Sequence, residues 1–141
     1  MTNCIFCKIV SGELPCYKVY EDESYLAFLD IKPVNKGHTI IIPKKHSDNF
    51  LDSNIEESKG ILSVLQKIGK AVLKATGAQG CNISTNNGSA AGQVIMHLHW
   101  HIVPRFEHDG LKLWPGGQYG EGVAEKLIGE IKSHLEEAVL K

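Results

Sequence analysis

The sequence predicts an α+β fold: a mainly antiparallel, five-stranded sheet with two main helices. Two observations lead to it. Short β-prone runs recur on both sides of one long helical stretch, an order that favours an antiparallel sheet over a β–α–β array. In the last of these runs, His97 to Val103, polar and apolar residues alternate, as they do in a strand with two different faces.

The elements follow in order. Ile5, Phe6, Ile9 and Val10 have helical spacing and stop at Ser11-Gly12, which predicts a short N-terminal helix. Tyr17 to Tyr20 and Tyr25 to Leu29 read as a hairpin whose turn, Glu21-Asp22-Glu23-Ser24, lacks glycine. After the loop Pro33 to Gly37, the β-branched run His38 to Pro43 reads as a strand. Ser53 and Glu56 have the spacing of a capping box. Ile61, Leu62, Leu65, Ile68, Val72 and Ala75 then form a helical stripe, closed by Gly77. Cys81 to Thr85 is a strand entering the turn Asn86-Asn87-Gly88, and Ser89 to Gly92 is a loop. His97 to Val103 is the fifth strand, ended by Pro104. Val123, Leu127, Ile131, Leu135 and Val139 mark a second amphipathic helix over 122–140.

A length of 141 residues fits a single domain, 1–141. A net charge of −1 provides no basic excess for a nucleic-acid duplex or an anionic membrane, although a local pocket can still be electropositive. The longest apolar runs fall short of the about 20 residues of a membrane span. The N-terminus does not read as a secretory signal, so a cytoplasmic protein with reduced thiols is expected. In that setting Cys4-x-x-Cys7 points to a metal or redox element rather than a disulfide.

The chemistry concentrates in His97-Leu98-His99-Trp100-His101. In a strand the three histidines share one face and Leu98, Trp100 and Ile102 the other. Three readings are open: a polar edge face, a His-x-His metal clip, and nucleophilic catalysis. A neutral imidazole attacks phosphorus when one nitrogen is free and the other is held as N–H. Donors must then face the phosphoryl oxygens. Asn86 to Gln93 provides amides, and its glycines let backbone N–H groups approach a phosphate.

His97-x-His99-x-His101-Ile102-Val103 resembles the signature of the histidine-triad hydrolases and transferases. The resemblance covers nearly the whole chain. It includes Ile5 to Ile9, Ala27 to Ile31, Gly37 to His46, Asn86-x-Gly88 and Gly92-Gln93, and implies the histidine-triad fold. Asn86, where the fragile-histidine-triad branch resembles Gln, places the chain closer to the nucleotide-binding branch. The resemblance implies His99 as the nucleophile, with His101 and His38 positioning it and the phosphate. It implies Asn86, Gly92 and Gln93 at the phosphate, Asp30 on the ribose hydroxyls, and Ile5, Phe6, Ile9, Phe28 and Ile31 around the base. Val94 stands where that branch carries a hydroxyl that would contact the leaving group, which leaves the leaving-group preference open.

Cys4-x-x-Cys7 gains weight beside His46 and His97, because two thiolates and two imidazoles make a closed tetrahedral zinc site. Zinc-bearing members of the family resemble this arrangement, which would make His97 a structural ligand. The expected function is hydrolysis or nucleotidyl transfer at the α-phosphate of adenosine (purine) 5′-phosphoramidates or dinucleoside polyphosphates, through a covalent nucleotidyl-histidine and without required magnesium. The alternatives are a non-catalytic purine-nucleotide-binding module and a zinc hydrolase using the triad as ligands. The resemblance further implies a homodimer with the sheet continued across two chains, in which Trp114-Pro115-Gly116-Gly117 approaches the partner's site.

Overall fold

The computed structural model describes residues 3–140, the side chains of Val139 and Leu140 excepted. The chain, expected as one domain, divides by its contacts into two compact units, residues 1–109 and 110–141.

The first unit holds helix α1 (Ile5–Val10), strands β1 (Lys18–Glu21), β2 (Tyr25–Leu29) and β3 (Thr39–Pro43), helices α2 (Ile55–Ser58) and α3 (Ile61–Thr76), and strands β4 (Gly80–Ser84) and β5 (Trp100–Arg105). The sheet runs β1-β2-β3-β5-β4 and every neighbouring pair is antiparallel. The predicted α+β class and five-stranded antiparallel sheet are therefore observed. The glycine-free turn before β2 works through Asp22, whose Oδ1 accepts from Ser24 N–H (2.8 Å) and Tyr25 N–H (2.7 Å).

Both faces of the sheet are covered, which is why β2 and β3 read as nearly continuous apolar runs. Tyr25, Ala27, Ile41, Trp100 and Ile102 pack with Ile61, Leu65 and Ile68 of α3. On the other face Leu26, Phe28, Ile40 and Ile42 pack with Phe6 of α1. Ile41, Ile42 and Ile102 are fully buried. Gly37 marks a close approach: its φ is +92°, and a Cβ there would stand 2.5 Å from Thr76 Cγ2.

Several expected boundaries move. The capping box does not form. Asn54 caps α2 by accepting from Glu56 N–H (3.0 Å), while Ser53 Oγ donates to Phe50 O. The helix is broken at Gly60, and α3 buries Val64 and Gly69 while Leu62 and Ala75 are exposed. Strand β5 begins at Trp100 rather than His97, because the preceding backbone bonds elsewhere: Leu98 N–H donates to Ser47 O (2.7 Å), and His99 O accepts from Thr85 Oγ1 (2.8 Å). Pro104 does not end the strand. Pairing of β5 with β3 stops at Ile102, so no ladder donor is needed on that side, and Pro104 O accepts from the Asn35 amide instead.

The second unit contains helix α4 (Val123–Leu140), as expected. Val123, Leu127, Ile131 and Leu135 are exposed. The expected apolar position Val139 lies outside the described side chains.

Candidate functional site

On the α1 face lies a cavity of about 560 Å³, within the range of about 300–1,000 Å³ usual for small-molecule sites. Ile5, Phe6, Ile9, Phe28 and Ile31 line it, as expected of a base slot, and so do Asp30, Gly92, Val94, His99 and His101. Sequence reasoning missed Leu14, Pro15 and Cys16 in the segment after α1, and Lys32, the cationic residue of the lining. Ile40 was missed too, because the continuous apolar run of β3 does not show which face each residue takes, whereas Ile95, two residues before the triad, was legible.

The three triad rings have three different environments. His97 is fully buried, and its Nε2–H donates to Pro43 O at 2.8 Å. Its Nδ1 stands 3.4 Å from Cys4 Sγ, 3.6 Å from Cys7 Sγ and 3.2 Å from His46 Nδ1. His99 turns the other way, and its Nδ1–H donates to His97 O at 2.7 Å. A carbonyl only accepts, so the proton sits on Nδ1 and Nε2 carries the lone pair. That nitrogen has no protein partner among the described residues, and no buried side-chain nitrogen or oxygen there goes unpaired, so it is open to the cavity. The edge of Phe6 packs on both rings, with centroids 5.8 and 5.2 Å away.

His101 pairs with His38: His38 Nε2 and His101 Nδ1 are 2.9 Å apart. Val34 N–H donates to His38 Nδ1 at 3.1 Å, so that nitrogen is bare and the ring's proton is on Nε2. It donates to His101 Nδ1, which leaves His101's own proton on Nε2, next to the cavity. Burial lowers the pKa of His99, against the opposing pull of the His97 carbonyl and Asp30. Burial, then the charges of His99 and His38, push His101 down to about 4. Burial also lowers His38. The rings are therefore neutral at pH 7, the state a nucleophilic imidazole needs.

The amide-rich loop departs from expectation. The Gln93 side chain is spent within the fold: Oε1 accepts from Gly88 N–H (2.8 Å), and Nε2 donates to Asp48 O (2.6 Å) and Ile95 O (3.0 Å). Neither Gln93 nor Asn86 lines the cavity. The Asn86 amide lies beside Gly92 instead. The Val94 N–H, by contrast, has no partner among the described residues. Asp30 accepts from Lys32 N–H in a turn (2.8 Å) and also lines the cavity.

Cys4, Cys7, His46 and His97 offer ligand atoms within 4.8 Å of one another. Tetrahedral zinc with its usual bond lengths sets N–N edges of about 3.3 Å and N–S edges of about 3.6 Å, close to the 3.2 Å and the 3.4–3.6 Å found. His46 Nε2 faces Asp48 Oδ1 at 3.1 Å and carries its proton there. Two bare Nδ1 atoms therefore face each other between two thiols, an arrangement that calls for a cation. Asp30, His38 and His101 also cluster, but there the Nε2–H proton of His38 lies between the nitrogens. Among the described residues the three triad rings do not form a group of converging ligand atoms.

The HIT domain family profile matches residues 11–108. This chain belongs to the HIT family. An uncharacterized HIT-like protein of Methanocaldococcus jannaschii is 51% identical over 92% of this chain and 98% of its own. An adenosine 5′-monophosphoramidase of Schizosaccharomyces pombe is 40% identical, over 86% of this chain and 81% of that protein. The Arabidopsis thaliana adenylylsulfatase HINT3 is 46% identical over 77% of this chain and 55% of its own length. A zinc-bound histidine triad family protein from Mycobacterium smegmatis superposes with a TM-score of 0.75 at 37% identity, covering 97% of this HIT protein and 98% of that one. No described helix is long and apolar enough to cross a membrane.

Proposed function

We propose that this HIT protein hydrolyses nucleoside 5′-phosphate derivatives at the α-phosphorus through a nucleotidyl intermediate on His99. The observation that carries this reading is the His99 Nδ1–H bond to His97 O, which leaves a neutral Nε2 lone pair at the cavity. That lone pair attacks phosphorus, forming P–N as the bond to the leaving group breaks. His101 Nε2–H hydrogen-bonds the departing atom, which takes its proton from solvent water in the open cavity. Water then attacks, P–N breaks, and the water's proton returns to solvent while His101 keeps its own. Charge on the phosphoryl oxygens is met by His101 and by the Val94 N–H, so that backbone takes the role expected of the Asn86 and Gln93 side chains. Asp30 binds the ribose hydroxyls and the apolar wall takes the base. The relatives named as an adenosine 5′-monophosphoramidase and an adenylylsulfatase support an adenosine 5′-phosphoryl substrate.

Cys4, Cys7, His46 and His97 would hold a zinc ion. Bound there, it supplies structural cross-linking of α1 to the segment before β5, and takes no part in the reaction. The chain acts as a homodimer in this reading, supported by Ile83 on the edge strand β4 and Trp114, which is 93% exposed.

Intact-mass spectrometry of protein quenched during turnover of adenosine 5′-phosphoramidate tests the mechanism. One adenylyl adduct is expected on the wild type and none on His99→Asn. An equally active His99→Asn protein would remove the mechanism.

A further inference from the structure

His38 Nδ1 has two neighbours that favour opposite tautomers. Val34 N–H, at 3.1 Å, requires a bare nitrogen. The Asp30 carboxylate, with Oδ2 at 3.7 Å, would draw a proton onto it. At these distances the amide prevails, because 3.7 Å is beyond hydrogen-bond range. The outcome passes to the cavity. With Nδ1 bare, His38 donates from Nε2 to His101 Nδ1, and His101 keeps its proton on the cavity side. With Nδ1 protonated and paired to Asp30, both rings reverse and His101 presents a lone pair to an anionic substrate.

The winner depends on where the segment 30–38 holds the Val34 N–H, and that segment is pinned from outside the cavity. Asn35 Nδ2 donates to Pro104 O at 2.9 Å and to Asp109 Oδ2 at 3.0 Å. Asn35 O accepts from His38 N–H at 3.0 Å. Asp109 is held in turn by Arg105, through Nε at 2.7 Å and Nη2 at 3.1 Å, and by Phe106 N–H at 3.2 Å; its side chain is only 7% exposed. The turn that delivers it contains His108 at φ +65°, the one positive φ outside glycine among the described residues.

We propose that Asn35 and Asp109 are positioning residues that set the tautomers of the His38–His101 pair, and thereby keep an Nε2–H donor on His101 facing the leaving group. The effect on rate rests on the function proposed above; the tautomers do not.

The test combines ring-¹⁵N histidine NMR at pH 7 with turnover of two substrates, on wild type, Asn35→Ala, Asn35→Ser and Asp109→Asn, each checked for folding by thermal melting. In the wild type both rings are expected as Nε2–H. In the variants a population of Nδ1–H appears at His101. Turnover of adenosine 5′-phosphoramidate, whose nitrogen is a poor leaving group that needs a facing hydrogen-bond donor, falls about tenfold, while the 4-nitrophenyl ester of AMP, whose leaving group needs none, changes less than about twofold. Wild-type protein with His101 as Nδ1–H overturns the proposal even if no variant folds. So do folded variants that keep wild-type tautomers, or that lose both substrates equally. A wild type inactive on both substrates sinks the function instead, and the NMR still decides this inference.

Discussion

Replacing His101 by Gln should flatten the acid dependence of stability. His101 holds its pKa at about 4 in the folded protein, chiefly through burial, against about 6.5 in an unfolded chain. For a base depressed in this way, the unfolded state binds more protons throughout that interval. Stability is therefore fully present above pH 6.5 and is lost as pH falls toward 4. At ~1.4 kcal/mol for each tenfold change in proton affinity, the interval amounts to about 3 kcal/mol. His38 and His99 titrate in the same cluster and pass part of this among themselves, so the share that disappears with His101 is about 2 kcal/mol by pH 4.5. Gln leaves an acceptor for the His38 Nε2–H. The assay is urea unfolding of wild type and His101→Gln at pH 7.5 and 4.5. Both proteins keep the Cys4, Cys7, His46 and His97 cluster, so any release of metal in acid cancels in the difference. Wild type should lose about 2 kcal/mol more than the variant. Equal losses would mean that His101 is not held neutral by its surroundings, and the burial argument would fail with it.

Three further outcomes are expected. Val94→Ser places a hydroxyl at the cavity and should raise phosphoramidate turnover severalfold relative to the 4-nitrophenyl ester, read from the ratio of kcat/KM values. Metal analysis of purified protein should find one zinc per chain, kept in His99→Ala and lost in Cys4→Ser, with a lower Tm for the latter. Ile41→Ala, at a fully buried position shared by β3 and the α3 face, should cost about 2–5 kcal/mol by chemical denaturation.

Much of the site was visible in the order of residues. The alternation of His97, His99 and His101 with Leu98, Trp100 and Ile102 separates two faces, and the structure puts the second set against α3. The α1 residues Ile5, Phe6 and Ile9 lie on one helical side and do line the cavity. The loop chemistry was less legible. Gln93 and Asn86 are polar and close to the triad in sequence, but side-chain amides serve a fold or a ligand equally well, and only the fold shows that Gln93 has three bonds of its own. Cys16 belongs to none of the motifs in the sequence, and its place on the cavity follows only from the turn after α1.

Periodicity and residue chemistry by themselves determined the class of fold, the two faces of the histidine segment and the four groups suited to a metal, because side-chain direction along a strand or helix is a local property. Proton placement was decided only in three dimensions. Whether His99 carries its hydrogen on Nδ1, and His101 on Nε2, depends on a carbonyl two residues away and on an amide and a second imidazole from the segment that leads into β3. A tautomer is set by whatever acceptor or donor comes within about 3 Å, and that is settled only when the chain has folded.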